Sequence, residues 1–168
     1  MSRMSTFALE DQAVLVLEVC IACALGAVIG WERDRAGKSA GIRTHVIIAA
    51  ASAFAVGLGE LALGADGVGD RTRVLHGVLT GIGFIGAGMI WRADRQEGPS
   101  GLTSAATVML VAVIGAACGI GAPITAVAVT VIALITLWGV AQMEPNREAR
   151  SASPPDASGG GDDVAVPR

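Results

Sequence analysis

Four sets of residues have types and spacings that could do chemistry. The first is a group of acids set among apolar residues: Glu18, Glu60 and Asp70, with Asp66 and His76 near the last two. Carboxylates are the hard oxygen ligands that Mg²⁺ prefers, and an acid inside hydrocarbon is costly enough to mark function. Glu18, Glu60 and Asp70 are therefore candidate metal ligands, against the plainer reading of Glu60 and Asp70 as interfacial residues. The second set is GIGFIGAG, Gly81 to Gly88, which satisfies the dinucleotide fingerprint G-x-G-x-x-G. A nucleotide loop follows a strand and has an acid about 20 residues further on. Here those positions read TSAATVMLV, with no acid. The third is Cys20-Ile-Ala-Cys23, whose apolar surroundings lack the electropositive setting of a reactive pair. With Cys118 it reads as packing. The fourth is the alternation Glu32, Arg33, Asp34, Arg35, Lys38, Arg43, either a set of surface ion pairs at a membrane face or a structured site. No nucleophile–base pair, metal-spaced Cys/His cluster or phosphate-binding P-loop occurs in the sequence, so no enzymatic activity is expected.

These residues are positioned by apolar tracts. The chain is 52% hydrophobic and only 16% charged, with a mean hydropathy of +0.60. Soluble domains carry roughly a quarter charged residues, so the balance points to a membrane, and no basic stripe interleaved with aromatics supports nucleic-acid binding. A bilayer core takes about 20 apolar residues per helix. Five tracts approach that length: 13–30, 45–63, 74–91, 102–119 and 123–140. They predict an all-α polytopic membrane bundle of five transmembrane helices, or four, within a domain over residues 1–143. The last two tracts are joined by Gly119-Ile-Gly-Ala-Pro123, with Gly to end one helix and Pro to open the next, which predicts a tight hairpin. Glu18 interrupts the first tract and only Arg3 precedes it, so it reads as a retained helix and not a signal peptide.

Lys and Arg set the expected orientation. Placing loop 31–44 inside gathers nine of the twelve Lys and Arg on that side, with the N-terminus out and the C-terminus in. Residues 144–168 are rich in Pro, Ser and Gly and poor in large apolar residues. They cannot bury enough surface to offset ordering entropy, and a disordered cytoplasmic tail is expected.

The glycines suggest how the helices meet. Gly26-x-x-x-Gly30, Gly77-x-x-x-Gly81 and Gly115-x-x-x-Gly119, with the small series Ala49, Ala53, Gly57, are spaced for close interhelical approach. In lipid, close packing drives association, and Gly lets backbones approach. The dense run from Gly81 to Gly88 allows a second reading, a helix broken at a polar site.

Three blocks carry a family resemblance. Gly30-Trp-Glu-Arg-Asp-Arg-Ala-Gly-Lys-Ser-Ala-Gly-Ile-Arg-Thr-His45 is the first. Asp70-Arg-Thr-Arg73, followed by Leu79-Thr-Gly-Ile-Gly-Phe-Ile-Gly-Ala-Gly-Met-Ile90, is the second. Gly101-Leu-Thr-Ser-Ala-Ala106, followed by Ile114-Gly115, is the third. Together they resemble, in order, the membrane domain of the MgtC/SapB family of bacterial inner-membrane proteins. The resemblance implies a multi-pass membrane domain linked to magnesium-limited growth and to virulence in some members. It marks Glu32, Arg33, Gly41, Arg43, Thr44, Asp70, Gly81, Gly83, Gly86, Gly88, Gly101, Thr103 and Ser104 as motif residues. Two features depart from the pattern. The short tail stands where many members carry an ACT-like soluble domain, and Val108-Met109 replaces an aromatic residue often found after the third block.

The function expected from the resemblance is a regulator of membrane transport or of ATP synthase. It would sit in the bilayer and bind other membrane proteins through Gly-lined helix faces. The alternative is an oligomeric transporter or channel for Mg²⁺ or another cation, since so few short helices make a small pore alone. Self-association is expected, and no cofactor is required beyond the candidate Mg²⁺. A structural assembly factor without a ligand is the third reading.

Overall fold

A computed structural model describes residues 8–63, 72–94 and 101–143. They form five helices: α1 (Leu9–Arg35), α2 (Ile42–Leu63), α3 (Thr72–Asp94), α4 (Gly101–Gly119) and α5 (Pro123–Met143). Four stretches are long and apolar enough to cross a bilayer, namely Leu9–Arg35, Ile42–Ala62, Thr72–Trp91 and Gly101–Gly119, and α5 is apolar over Pro123–Gly139. The described fold is thus the all-α membrane bundle that the tracts predict. The tail at 144–168 and Asp66 and Asp70 lie outside the described residues. By its internal contacts the chain divides into two units, Met1–Ile135 and Thr136–Arg168. The second contributes the last two turns of α5 to the described residues.

Local chemistry fixes where the helices stop. At the end of α1, Gly37 adopts φ 66°. Its N–H donates to Asp34 O, and that of Lys38 donates to Arg33 O, both at 3.0 Å. This is a Schellman cap, which needs a residue tolerant of the left-handed region at that position. The end of α4 repeats it: Gly121 has φ 78°, Gly121 N–H donates to Cys118 O and Ala122 N–H to Ala117 O, each at 2.9 Å. Pro123 then opens α5, where its missing N–H costs nothing. Glu10 and Asp11 in the first turn of α1, and Arg33 and Arg35 in its last, match the helix dipole at each end.

The core of the first unit is built around α4, most of which is buried, including Val108, Val111, Ala112 and Ile114. It is held by glycine-mediated contacts of two kinds. Gly26 faces the backbone of His45 and the Cβ of Ala49, and Gly30 faces the backbone of Ile42, so α1 and α2 run antiparallel at close approach. Gly115 meets the backbone of Ala49 and Gly119 that of Ala53, so α2 and α4 advance in step, parallel. At each of these four glycines a Cβ would collide with the neighbour's backbone. The spacing of small residues in α1, α2 and α4 therefore does what it suggests in sequence.

The third helix behaves otherwise. It is unbroken from Thr72 to Asp94, so the glycine run does not interrupt it. Among its described side-chain positions only Ile82 and Gly86 are buried. A Cβ at Gly86 would rest 3.6 Å from Ala105 Cβ on α4, whereas Gly77, Gly81, Gly83 and Gly88 have nothing within 4 Å. The expected close packing on this run is absent within the described residues. Large apolar side chains such as Phe54, Phe84, Ile124 and Ile132 are exposed. In a bilayer such a surface faces acyl chains and carries no penalty.

Candidate functional site

The glycine contacts set the levels of the helices, and they bring the first and third blocks to one end of the unit. Gly30 opposite Ile42, and Ala49 opposite Gly115, carry Arg33 to the level of Ser104 and Ala105. That end holds most of the buried polar side chains: Arg33, His45, Ser104 and Thr107, each no more than 4% exposed.

The acids of the loop are engaged internally. Glu32 binds the neighbouring Arg33 through two hydrogen bonds, Nε to Oε2 at 2.5 Å and Nη2 to Oε1 at 2.7 Å. The guanidinium is buried, so this bidentate pair is what makes its burial tolerable. Asp34 reaches eight residues ahead, and its Oδ2 accepts the Ile42 N–H at 3.0 Å. This carboxylate lies at the start of α2, where the helix dipole favours negative charge. Gly41 lies against it, and a Cβ there would displace the Asp34 carboxylate from its place at the start of α2.

His45 was only the last residue of the first block in sequence. In the structure it is fully buried. Its Nδ1 lies 2.9 Å from Gly41 O, so Nδ1–H donates there and Nε2 is left as an acceptor. That Nε2 is buried with no hydrogen-bond partner among the described residues. Nothing in the residue types flagged this; the signal was Gly26-x-x-x-Gly30, whose close approach seals the ring in.

The remaining motif residues are distributed as follows. Arg43 and Thr103 are exposed, Thr44 is half-buried and Gly101 is buried. Thr107 Oγ1 donates to Ser104 O of its own helix at 2.9 Å. The buried arginine is thus Arg33, while Arg43 points outward. Gly77, Gly81 and Gly88 share a bare face on α3, Gly83 lies on another side with nothing within 4 Å, and Gly86 faces α4.

Of the acids at the other end, the described Glu18 and Glu60 stand apart. Glu18 sits beside the α4–α5 turn, where a Cβ on Gly121 would come within 3.6 Å of its Oε1. Leu15 packs opposite Gly57, which puts Glu60 level with Gln12 and about 9 Å along the axis from Glu18. Among the described residues no three His, Cys, Asp or Glu side chains gather to hold a metal ion. A groove of about 350 Å³ between α1 and α2 is lined by apolar side chains such as Leu15, Phe54 and Leu58, with Gln12 its one polar residue. Cys20, Cys23 and Cys118 are free thiols.

Comparison with known proteins agrees with the three blocks. The profile of the MgtC family matches residues 19–146. The chain is 35% identical over 143 residues to protein SrpB of Synechococcus elongatus, covering 80% of this chain and 79% of SrpB. It is 39% identical over 115 residues to YhiD of Escherichia coli K12, which bears the name of a candidate magnesium transporter, covering 65% of this chain and 52% of YhiD. With protein MgtC of Salmonella typhimurium it shares 38% identity over 119 residues, 71% of this chain and 49% of MgtC. The chain thus matches about half the length of YhiD and MgtC. No solved structure matches it. With the profile spanning most of the chain and all three motif blocks inside the matched residues, the chain belongs to the MgtC family.

Proposed function

We propose that this protein is a non-catalytic regulator in the bacterial inner membrane, acting by helix contact on other membrane proteins when Mg²⁺ is limiting. The observation that carries the reading is the way α1, α2 and α4 meet. Gly26, Gly30, Gly115 and Gly119 bring backbones together along both the α1–α2 and α2–α4 interfaces, and mainly Ala, Val and Ile side chains fill what remains. Transporters instead place polar groups and irregular backbone near the bilayer midplane. Here the buried charge, Arg33, lies at one end of α1. The bare glycine face of α3 suits contact with a transmembrane helix of a second protein, or with another copy of this chain.

The second reading, an oligomeric cation transporter, draws on the name of YhiD. Reconstitution separates the two. Proteoliposomes holding the purified protein are expected to show no Mg²⁺ flux above empty vesicles, while cross-linking in membranes captures a defined partner. Flux that depends on the protein would replace the regulator with the transporter.

A further inference from the structure

The charges of loop 31–44 are not evenly balanced once their partners are known. Glu32 is committed to Arg33, and Asp34 is committed to the first N–H of α2. Three cations remain: Arg35, Lys38 and Arg43, all exposed, and none in an ion pair among the described residues. The Gly37 cap folds the chain back, and Gly30 opposite Ile42 holds the end of α1 against the start of α2. The three cations therefore crown a single helix junction.

Two further features say what chemistry faces them. The Arg35 guanidinium lies 5.2 Å from the centroid of the Trp31 ring, and Trp31 is 55% exposed. An exposed indole at the end of a membrane helix sits at headgroup depth, and it holds Arg35 there. Immediately below, the antiparallel register puts Val28 of α1 about three residues, ~4–5 Å, nearer the junction than Ile47 of α2, and both are exposed, at 45% and 67%. Cations at headgroup depth above exposed apolar side chains match the two halves of a lipid. An acidic protein segment would use the first and leave the second unexplained.

We propose that Arg35, Lys38 and Arg43 bind the phosphate of an anionic phospholipid whose acyl chains run down past Val28 and Ile47. The assignment does not depend on whether the protein regulates or transports. With loop 31–44 inside, the lipid is in the inner leaflet, where anionic headgroups attract such segments.

Lipid retention tests this directly. The detergent-purified full chain is titrated with phosphatidylglycerol or phosphatidylcholine and bound lipid is read by native mass spectrometry. Each cation near an anionic surface contributes about fivefold in affinity, so Arg35→Gln, Lys38→Gln and Arg43→Gln together are expected to weaken phosphatidylglycerol binding on the order of a hundredfold. The difference shrinks in high salt. Arg73→Gln, an exposed cation in the first turn of α3 at the other end of the unit, retains wild-type binding. All variants change exposed side chains, and unaltered helical content and elution verify the fold. Equal retention by wild type and triple variant would overturn the proposal, as would equal wild-type affinity for both lipids. Full competition by millimolar inorganic phosphate would reassign the site to free phosphate, and selective binding of an acidic peptide in place of lipid would reassign it to a protein.

Discussion

Replacing Gly115 by alanine adds one methyl group where α4 meets the backbone of α2. An ideal Cβ there lies 3.0 Å from both the carbonyl carbon and the Cα of Ala49, and closer still to its oxygen. Carbon contacts are comfortable at about 3.5–4.0 Å, so the two helices must part by about 0.5–1 Å. Overpacking of this kind costs about 1–3 kcal/mol, and the upper end applies because the obstacle is backbone that no rotamer change can move. Alanine also favours the helix over glycine by about 1 kcal/mol, which leaves a net loss of about 2 kcal/mol. At roughly 2–4 °C per kcal/mol for a chain of this size, Gly115→Ala lowers the apparent melting temperature by about 4–8 °C. Gly81→Ala is the matched control, since Gly81 has nothing within 4 Å. Only the propensity gain applies, and its melting temperature rises by about 2–4 °C. Thermal unfolding of the purified protein, followed by tryptophan fluorescence in detergent, reads both. If Gly115→Ala melts at or above wild type, or Gly81→Ala drops by a similar amount, the packing argument is wrong.

Other outcomes follow from the same geometry. Glu32→Gln strands the buried Arg33 guanidinium and is expected to cost about 3 kcal/mol, seen as a fall in melting temperature that Arg33→Met on the same background partly restores. Arg43→Ala removes an exposed side chain, so the protein inserts and melts as wild type while complementation of growth at low Mg²⁺ is lost; wild-type growth would remove Arg43 from the site. Reporter domains fused to the two ends of the chain are expected to report opposite sides of the membrane, with the C-terminus in the cytoplasm, and signals on one side would mean an even number of spans.

The glycines show why part of this architecture was legible before any coordinates. Gly26, Gly30, Gly115 and Gly119, with Ala49 and Ala53, are spaced at four residues, and a helix turns that spacing into one face whatever lies opposite. Length and apolarity alone set the helix count, because a bilayer imposes its own ruler. The stop at Gly121 was equally local, within the Gly119–Pro123 turn, whereas α1 runs past Gly30 to Arg35 and ends at a left-handed cap on Gly37 that the apolar tract did not mark. The same reasoning misplaced GIGFIGAG. Periodicity says which residues share a face but not whether a neighbour covers it, and Gly77, Gly81, Gly83 and Gly88 turn out to be bare.

The candidate site divides in the same way. The alternating charges from Glu32 to Arg43 were visible as a pattern, and the three blocks sufficed to point to the family. Their pairing was not visible, because Asp34 finds its partner eight residues away, at Ile42, across a turn, and Arg33 is buried only once the α1–α2 junction is closed. The sequence by itself determined the helices, the Gly119–Pro123 turn and the membrane setting, all of which depend on residues near one another in the chain. Tertiary structure alone decided which arginine is buried, that His45 is sealed with an unmet Nε2, and that Arg35, Lys38 and Arg43 are the cations left over. Those outcomes depend on which helix backbones come close enough to exclude everything else.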